Sequence, residues 1–89
     1  MTDWFVYILE SERGALYTGI TTSIARRVAE HSGRHGRGAR FFRLSRPARL
    51  RYVEPATDRG RAQRREAEIR RLGRPAKLAL IAAQASQPP

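Results

Sequence analysis

The segment LYTGITTSIARRVAEH, residues 16–31, sets Tyr17 and Gly19 two residues apart and follows them with Arg27 and His31 four apart. Upstream, WFVYILE carries Tyr7; far downstream, REAEIRR carries Glu66. Together these side chains form a set that phosphodiester hydrolysis can use: a phenol to orient or deprotonate water, a guanidinium to meet phosphate charge, and a carboxylate to hold a divalent metal ion. Each also has an ordinary structural alternative. Two tyrosines in a hairpin are commonly core residues with wet hydroxyls. A lone arginine is commonly half of an ion pair, a histidine at a helix end is commonly satisfied locally, and an inward glutamate commonly pairs with a guanidinium. Rival chemistries lack their residues. The chain has no cysteine, no GK[ST] phosphate loop and no HExxH, and its two histidines are separated by glycine-rich sequence, a poor basis for a zinc site.

The elements that must position these residues are readable from pattern. Trp4 to Glu10 is apolar in both alternating phases, which predicts a central strand covered on both faces. SERG then supplies a turn and ALYTGI a second strand, so residues 4–20 form a hairpin. A turn centred near Glu12 puts Tyr7 opposite Tyr17, with Gly19 on the same face. Thr21, Thr22 and Ser23 offer N-caps for a helix running to about Ser32 and stopped by Gly33. On that helix Ile24, Arg27, Val28 and His31 fall within about 100° of one another, while Arg26 points away. PARLRYVE, alternating Leu50 and Tyr52 with Arg49 and Arg51, predicts a half-exposed third strand. Asp58 caps a helix to Leu72, on which Ala62, Glu66 and Ile69 share an inward stripe about 60° wide and Glu68 lies about 100° from its centre. Gly73 and Pro75 stop it, and a last helix runs from about Pro75 to Ala83. One domain over residues 1–84 and a flexible tail over 85–89 follow.

Composition bounds the function classes. A chain of 89 residues makes one modest core. The absence of cysteine removes disulfides and thiolate metal sites and fits a cytoplasmic setting. No basic leader or long apolar run predicts secretion or membrane insertion. Basic residues number 18 against 8 acidic ones, a net charge of +10, and 17 of the basic residues are arginine. That balance points to a polyanion, because the arginine fork engages phosphate oxygens two at a time. The loop GRHGRGARFFR brings Arg34, Arg37 and Arg40 together as a phosphate-facing flap, the alternative being a surface loop whose phenylalanines dock on the core. Arg49 and Arg51 are further candidates for a nucleic-acid-binding face.

Taken in order, VYIL, LYTGIT, IARRVAEH and REAEIRRL resemble the GIY-YIG nuclease superfamily, and more narrowly its small standalone bacterial members, over most of residues 4–83. The resemblance implies an α+β fold with a three-stranded antiparallel β-sheet flanked by helices. It sets Tyr7 in the first motif and Tyr17 with Gly19 in the second, where Tyr-Thr-Gly stands for Tyr-Ile-Gly. It likewise makes Arg27 the catalytic arginine, His31 the histidine one helical turn later, and Glu66 the metal ligand. The implied reaction is one-metal hydrolysis of DNA with Mg2+ or Mn2+: Tyr17, helped by Tyr7 or His31, activates water, and Arg27 neutralises charge growing on phosphorus. Which phenol is the base stays open, since tyrosine ionises only near pH ~10 without local help. A late asparagine of some family nucleases has no counterpart, because the chain contains no asparagine. The expected activity is a metal-dependent endonuclease of DNA repair or recombination, a monomer acting on single-stranded, duplex or branched DNA with RNA left open. The alternative is a noncatalytic nucleic-acid binder that kept the fold.

Overall fold

In the computed structural model, which describes residues 3–31 and 47–87, the chain runs β1 (Trp4–Ser11), β2 (Leu16–Thr21), α1 (Ile24–His31), β3 (Pro47–Ala56), α2 (Arg59–Arg71) and α3 (Arg74–Ala85). The strands form one antiparallel sheet in the order β2-β1-β3. β1 is central because it is apolar in both phases. Val6 and Ile8 point to one face and pack with Tyr52, Ala62, Ile69 and Ile81, so α2 and α3 cover that side. Tyr7 and Leu9 point to the other, where Tyr17 and the α1 residues Ile24 and Val28 close over them. The fold is α+β, a sheet between two helical layers. Burying a residue such as Ile8 or Leu9 fully contributes about 1.5–3 kcal/mol, which is why two small clusters hold so short a chain.

The hairpin register differs from the sequence expectation by two residues. Tyr7 lies opposite Gly19, and Leu9, not Tyr7, lies opposite Tyr17. The turn is wider than a turn centred on Glu12: Ser11 N–H donates to Ala15 O at 2.9 Å, Gly14 N–H donates to Ser11 O at 2.9 Å, and Ala15 N–H donates to the Ser11 hydroxyl at 3.1 Å. Gly14 takes φ +84, a left-handed conformation that only glycine adopts cheaply. Because the shift is an even number of residues, the face shared by Tyr7, Tyr17 and Gly19 is unchanged.

β3 carries a second difference. Strict alternation puts Leu50 and Tyr52 on one face, yet Leu9 pairs with Leu50 while Ile8 pairs with Tyr52. Arg51 is the extra residue of a bulge, so Tyr52 enters the α2–α3 core and Leu50 is left exposed on the other side. The helices start where capping chemistry predicts. Ser23 Oγ accepts from Arg26 N–H at 3.3 Å at the head of α1, and Asp58 Oδ1 accepts from Arg61 N–H at 2.8 Å at the head of α2. α3 extends to Ala85, beyond the expected Ala83 and one residue into the predicted tail.

Candidate active site

Gly19 is where the site begins. A side chain there would put its Cβ 2.6 Å from Tyr7 Cζ, so the missing side chain is what lets the Tyr7 ring lie across β2. Tyr7 is 2% exposed, and its ring centroid stands 6.4 Å from that of Tyr17 at an interplanar angle of 39°. From α1, Ile24 and Val28 pack on the pair. Arg27 is half-buried on the same helix with its Nε shielded from solvent. Arg26 is exposed and donates to Thr22 Oγ1 at 3.2 Å. α1 ends at His31; the His31 side chain and the residues Arg34, Arg37 and Arg40 lie outside the described part of the chain.

Glu66 reaches the same strand from the other helical layer. Ala62 and Ile69 anchor α2 on the sheet, and Glu66, between them, keeps 21% of its side chain exposed, whereas Glu68 is 62% exposed. Arg70 Nη2 sits 3.7 Å from Glu66 Oε2 and also donates to the Thr18 carbonyl oxygen at 3.1 Å. Thr18 separates Tyr17 from Gly19, so Arg70 ties Glu66 to the stretch of β2 that carries the aromatic pair. Tyr17 on the α1 face and Glu66 in the α2 layer thus converge on the β2 edge. Arg70 is the participant that the sequence motifs do not name, although its place four residues after a glutamate on one helix is the spacing of a side-chain pair.

Arg49 and Arg51 lie on the opposite edge strand, and both engage Glu10. Arg49 Nε is 3.3 Å from Glu10 Oε1, and Arg51 Nη1 donates to the same oxygen. The Arg51 hydrogen bond holds the Glu10 carboxyl below the usual carboxylate range, against the opposing effect of burial and with help from Arg49. A second cluster stands nearby. Tyr52 Oη donates to Glu54 Oε2 at 2.9 Å, and Arg65 Nε donates to Glu54 Oε2 at 2.9 Å and Oε1 at 3.2 Å. Burial, then the bond to Glu54, pushes the Tyr52 phenol up; the Glu54 bonds raise the Arg65 guanidinium against burial.

Among the described residues no three His, Cys, Asp or Glu side chains gather, so a divalent ion at this site would rest on Glu66, with water and phosphate oxygens completing its shell. Mg2+ is commonly held that way, by one or two carboxylates plus substrate phosphates. Two observations fit such a ligand. The Glu66 carboxylate has one guanidinium at 3.7 Å, beyond hydrogen-bond length. The buried Thr18 hydroxyl also lacks a hydrogen-bond partner among the described residues, a cost of about 1–3 kcal/mol unless a ligand relieves it.

Comparison with known proteins converges on these residues. The family model of the GIY-YIG catalytic domain matches residues 3–79. A UPF0213 protein of Desulfotalea psychrophila is 48% identical over 80 residues, covering 90% of this chain and 72% of its own. One of Halobacterium salinarum is 44% identical over 76 residues, covering 85% of this chain and 96% of its own. The solution NMR structure of a UPF0213 protein from Bacillus halodurans superposes with a TM-score of 0.59 at 35% identity, covering 93% of this chain and 86% of that one.

Proposed function

Given that the chain belongs to the GIY-YIG family of nuclease domains, in its small UPF0213 branch, we propose that it is a divalent-metal-dependent endonuclease that hydrolyses DNA phosphodiester bonds. Nucleases of the family act on nucleic acid and generally use divalent metals. The observation that carries the reading for this chain is the β2 edge, where Tyr17 on one side and a loosely neutralised Glu66 on the other share the backbone of Thr18.

In the proposed reaction Tyr17, with Tyr7 or His31, orients a water and takes up its proton as the water oxygen attacks phosphorus. The guanidinium of Arg27 meets the charge that grows on the phosphoryl oxygens, and its half-burial strengthens that attraction relative to bulk water. The bond from phosphorus to O3′ breaks, leaving a 5′ phosphate and a 3′ hydroxyl. Glu66 would hold Mg2+ or Mn2+, which when bound supplies Lewis-acid neutralisation at the departing oxygen. Tyr7, buried under α1, fixes the position of the β2 segment and excludes water from one side of the pair. We assign one domain to residues 1–84 acting as a monomer, with a role in cytoplasmic DNA repair or recombination.

The test incubates the full chain with end-labelled single-stranded, duplex and branched DNA, with Mg2+ or Mn2+ and with EDTA. Cleavage that requires the metal and leaves 5′ phosphates is expected. A protein that binds these DNAs and cuts none of them in either metal is the noncatalytic binder instead.

A further inference from the structure

Three guanidinium groups stand along the side of the molecule where α2 passes the β2 edge. At the head of α2, Arg59 lies over the Trp4 ring, 5.8 Å from its centroid, next to Phe5, which pairs with the end of β2 at Thr21. In the last turn Arg70 reaches the Thr18 carbonyl. At the start of α3 Arg74 reaches the hairpin turn, its Nη2 3.8 Å from where a Cβ on Gly14 would stand. Glu66 lies between the first and second of these. The helix therefore descends antiparallel to β2 and sets a cation at each end of the strand and one beside its middle.

We propose that this row is a lane for a single nucleic-acid strand, which runs along the β2 edge with the reacting phosphate at Glu66 and its neighbours on Arg70 and Arg74. The lane rests on the nuclease reading for the position of the reacting phosphate, and its phosphate binding is measurable without cleavage. Three features make a phosphodiester backbone the fitting occupant. Arg74 is exposed and has no carboxylate partner among the described residues. Arg70 makes both of its contacts through Nη2, so Nε and Nη1 still present N–H groups outward from a side chain that is 55% exposed. The acidic groups beside the lane are Glu12, exposed on the turn, and Glu66, too few to neutralise Arg13, Arg59, Arg70 and Arg74. Spacing agrees as well. Gly14 and Thr18 are four residues apart, roughly 13 Å of extended chain, a span of about four phosphates along one duplex strand.

The other face of α2 supplies the control. Arg61 is as exposed as any of these residues, at 71%, but it pairs with Asp58 at 3.7 Å and lines the concavity beside Glu54 and Pro55 on the β3 side. Binding of a fluorescein-labelled 20-nucleotide DNA, single-stranded and duplex, is titrated in EDTA across a salt series for wild type, Arg74→Ala and Arg61→Ala. The expected result for Arg74→Ala is a salt slope shallower by about 0.7 on single strands and about 0.9 on duplex, with thermal melting unchanged. Arg61→Ala is expected to keep the wild-type slope. Equal slopes in wild type and Arg74→Ala, or equal losses in the two variants, would overturn the lane. So would binding to vesicles of anionic phospholipid that surpasses binding to DNA and is the property Arg74→Ala reduces. Wild type that binds DNA with this slope pattern and never cuts it overturns the nuclease reading and leaves the lane standing.

Discussion

The two edges of the sheet are closed by different chemistry. At β3 a neutral amide does it: Val53 N–H donates to Gln84 Oε1 at 3.1 Å, and Gln84 Nε2 donates back to Val53 O. The carboxylates on that side are saturated, Glu54 by Tyr52 and a two-point bond from Arg65, Glu10 by Arg49 and Arg51. At β2 the closing group is a guanidinium, Arg70 on the Thr18 carbonyl, whose carboxylate contact is the distant one to Glu66. Exposed strand edges must be covered by something. What differs is what remains after covering: the β3 edge has no charge left over, whereas the β2 edge keeps a half-neutralised carboxylate and outward guanidinium groups. Glutamate–arginine pairs occur at both edges, so donor number and distance, not the presence of a pair, separate the edge that serves folding from the edge proposed to serve chemistry.

The largest effect should come from exchanging charge for amide at each edge. Glu66→Gln keeps the shape of the side chain and removes the charge a divalent metal requires, so cleavage is expected to fall by roughly two to three orders of magnitude. DNA binding and folding should persist, because only the 3.7 Å contact to Arg70 is lost. Glu54→Gln should do the reverse. It weakens the acceptor of three hydrogen bonds, which costs about 1–3 kcal/mol, read as a melting temperature lower by roughly 4–8 °C per kcal/mol, while cleavage by the folded fraction is unchanged. Parallel melts and cleavage time courses check both. A Glu66→Gln protein that melts early and cuts at the parent rate would erase the distinction between the edges.

How much of this is legible in the sequence depends on the range of the interaction. β1 as the central strand, the Ser23 and Asp58 caps, and the inward phases of Arg27 over Arg26 and Glu66 over Glu68 are set by residues within a few positions of one another, and each can be read from one strand or one helical wheel. The hairpin centre is not, because the Ser11 hydroxyl competes for a backbone donor in the turn and widens it. The bulge at Arg51 is not either: it depends on Glu10 in another strand drawing Arg49 and Arg51 to one oxygen. Arg70 escapes for the same reason, since its contact with Thr18 joins residues 52 positions apart.

A smaller effect tests the aromatic side of the β2 edge. Gly19→Ala forces a Cβ to within 2.6 Å of Tyr7 Cζ, and Tyr7 is locked in the central strand beneath α1. Overpacking of this kind costs about 1–3 kcal/mol. Displacing the phenol and the Tyr17 segment by a fraction of an ångström is expected to reduce cleavage by roughly tenfold to 100-fold. Gly73→Ala is the contrast, since the nearest atom to its added Cβ is Pro75 Cδ at 3.8 Å; cleavage should stay at the parent rate. If Gly19→Ala cuts as fast as Gly73→Ala, the packing of Tyr7 across β2 is irrelevant to the reaction.

The smallest effect belongs to the finished edge and concerns pH. Arg51 and Arg49 hold the Glu10 carboxyl below its ordinary range in the folded chain, so as pH falls the unfolded chain takes up this proton first. Where the unfolded chain binds more protons, stability drops with falling pH. The contribution of Glu10 is therefore complete above about pH 5 and lost progressively below the usual carboxylate value of about 4.3. For a pair partly open to solvent it amounts to at most about 1 kcal/mol. Glu10→Gln should flatten that part of the stability profile between pH 6 and pH 3, measured by urea unfolding at each pH, and leave DNA cleavage at neutral pH unchanged, because Glu10 stands at the edge away from Tyr17 and Glu66. An undiminished acid slope in the variant would mean that its source is another carboxylate, Glu54 first among them. Reduced cleavage at pH 7 would mean that the two edges are coupled through β1.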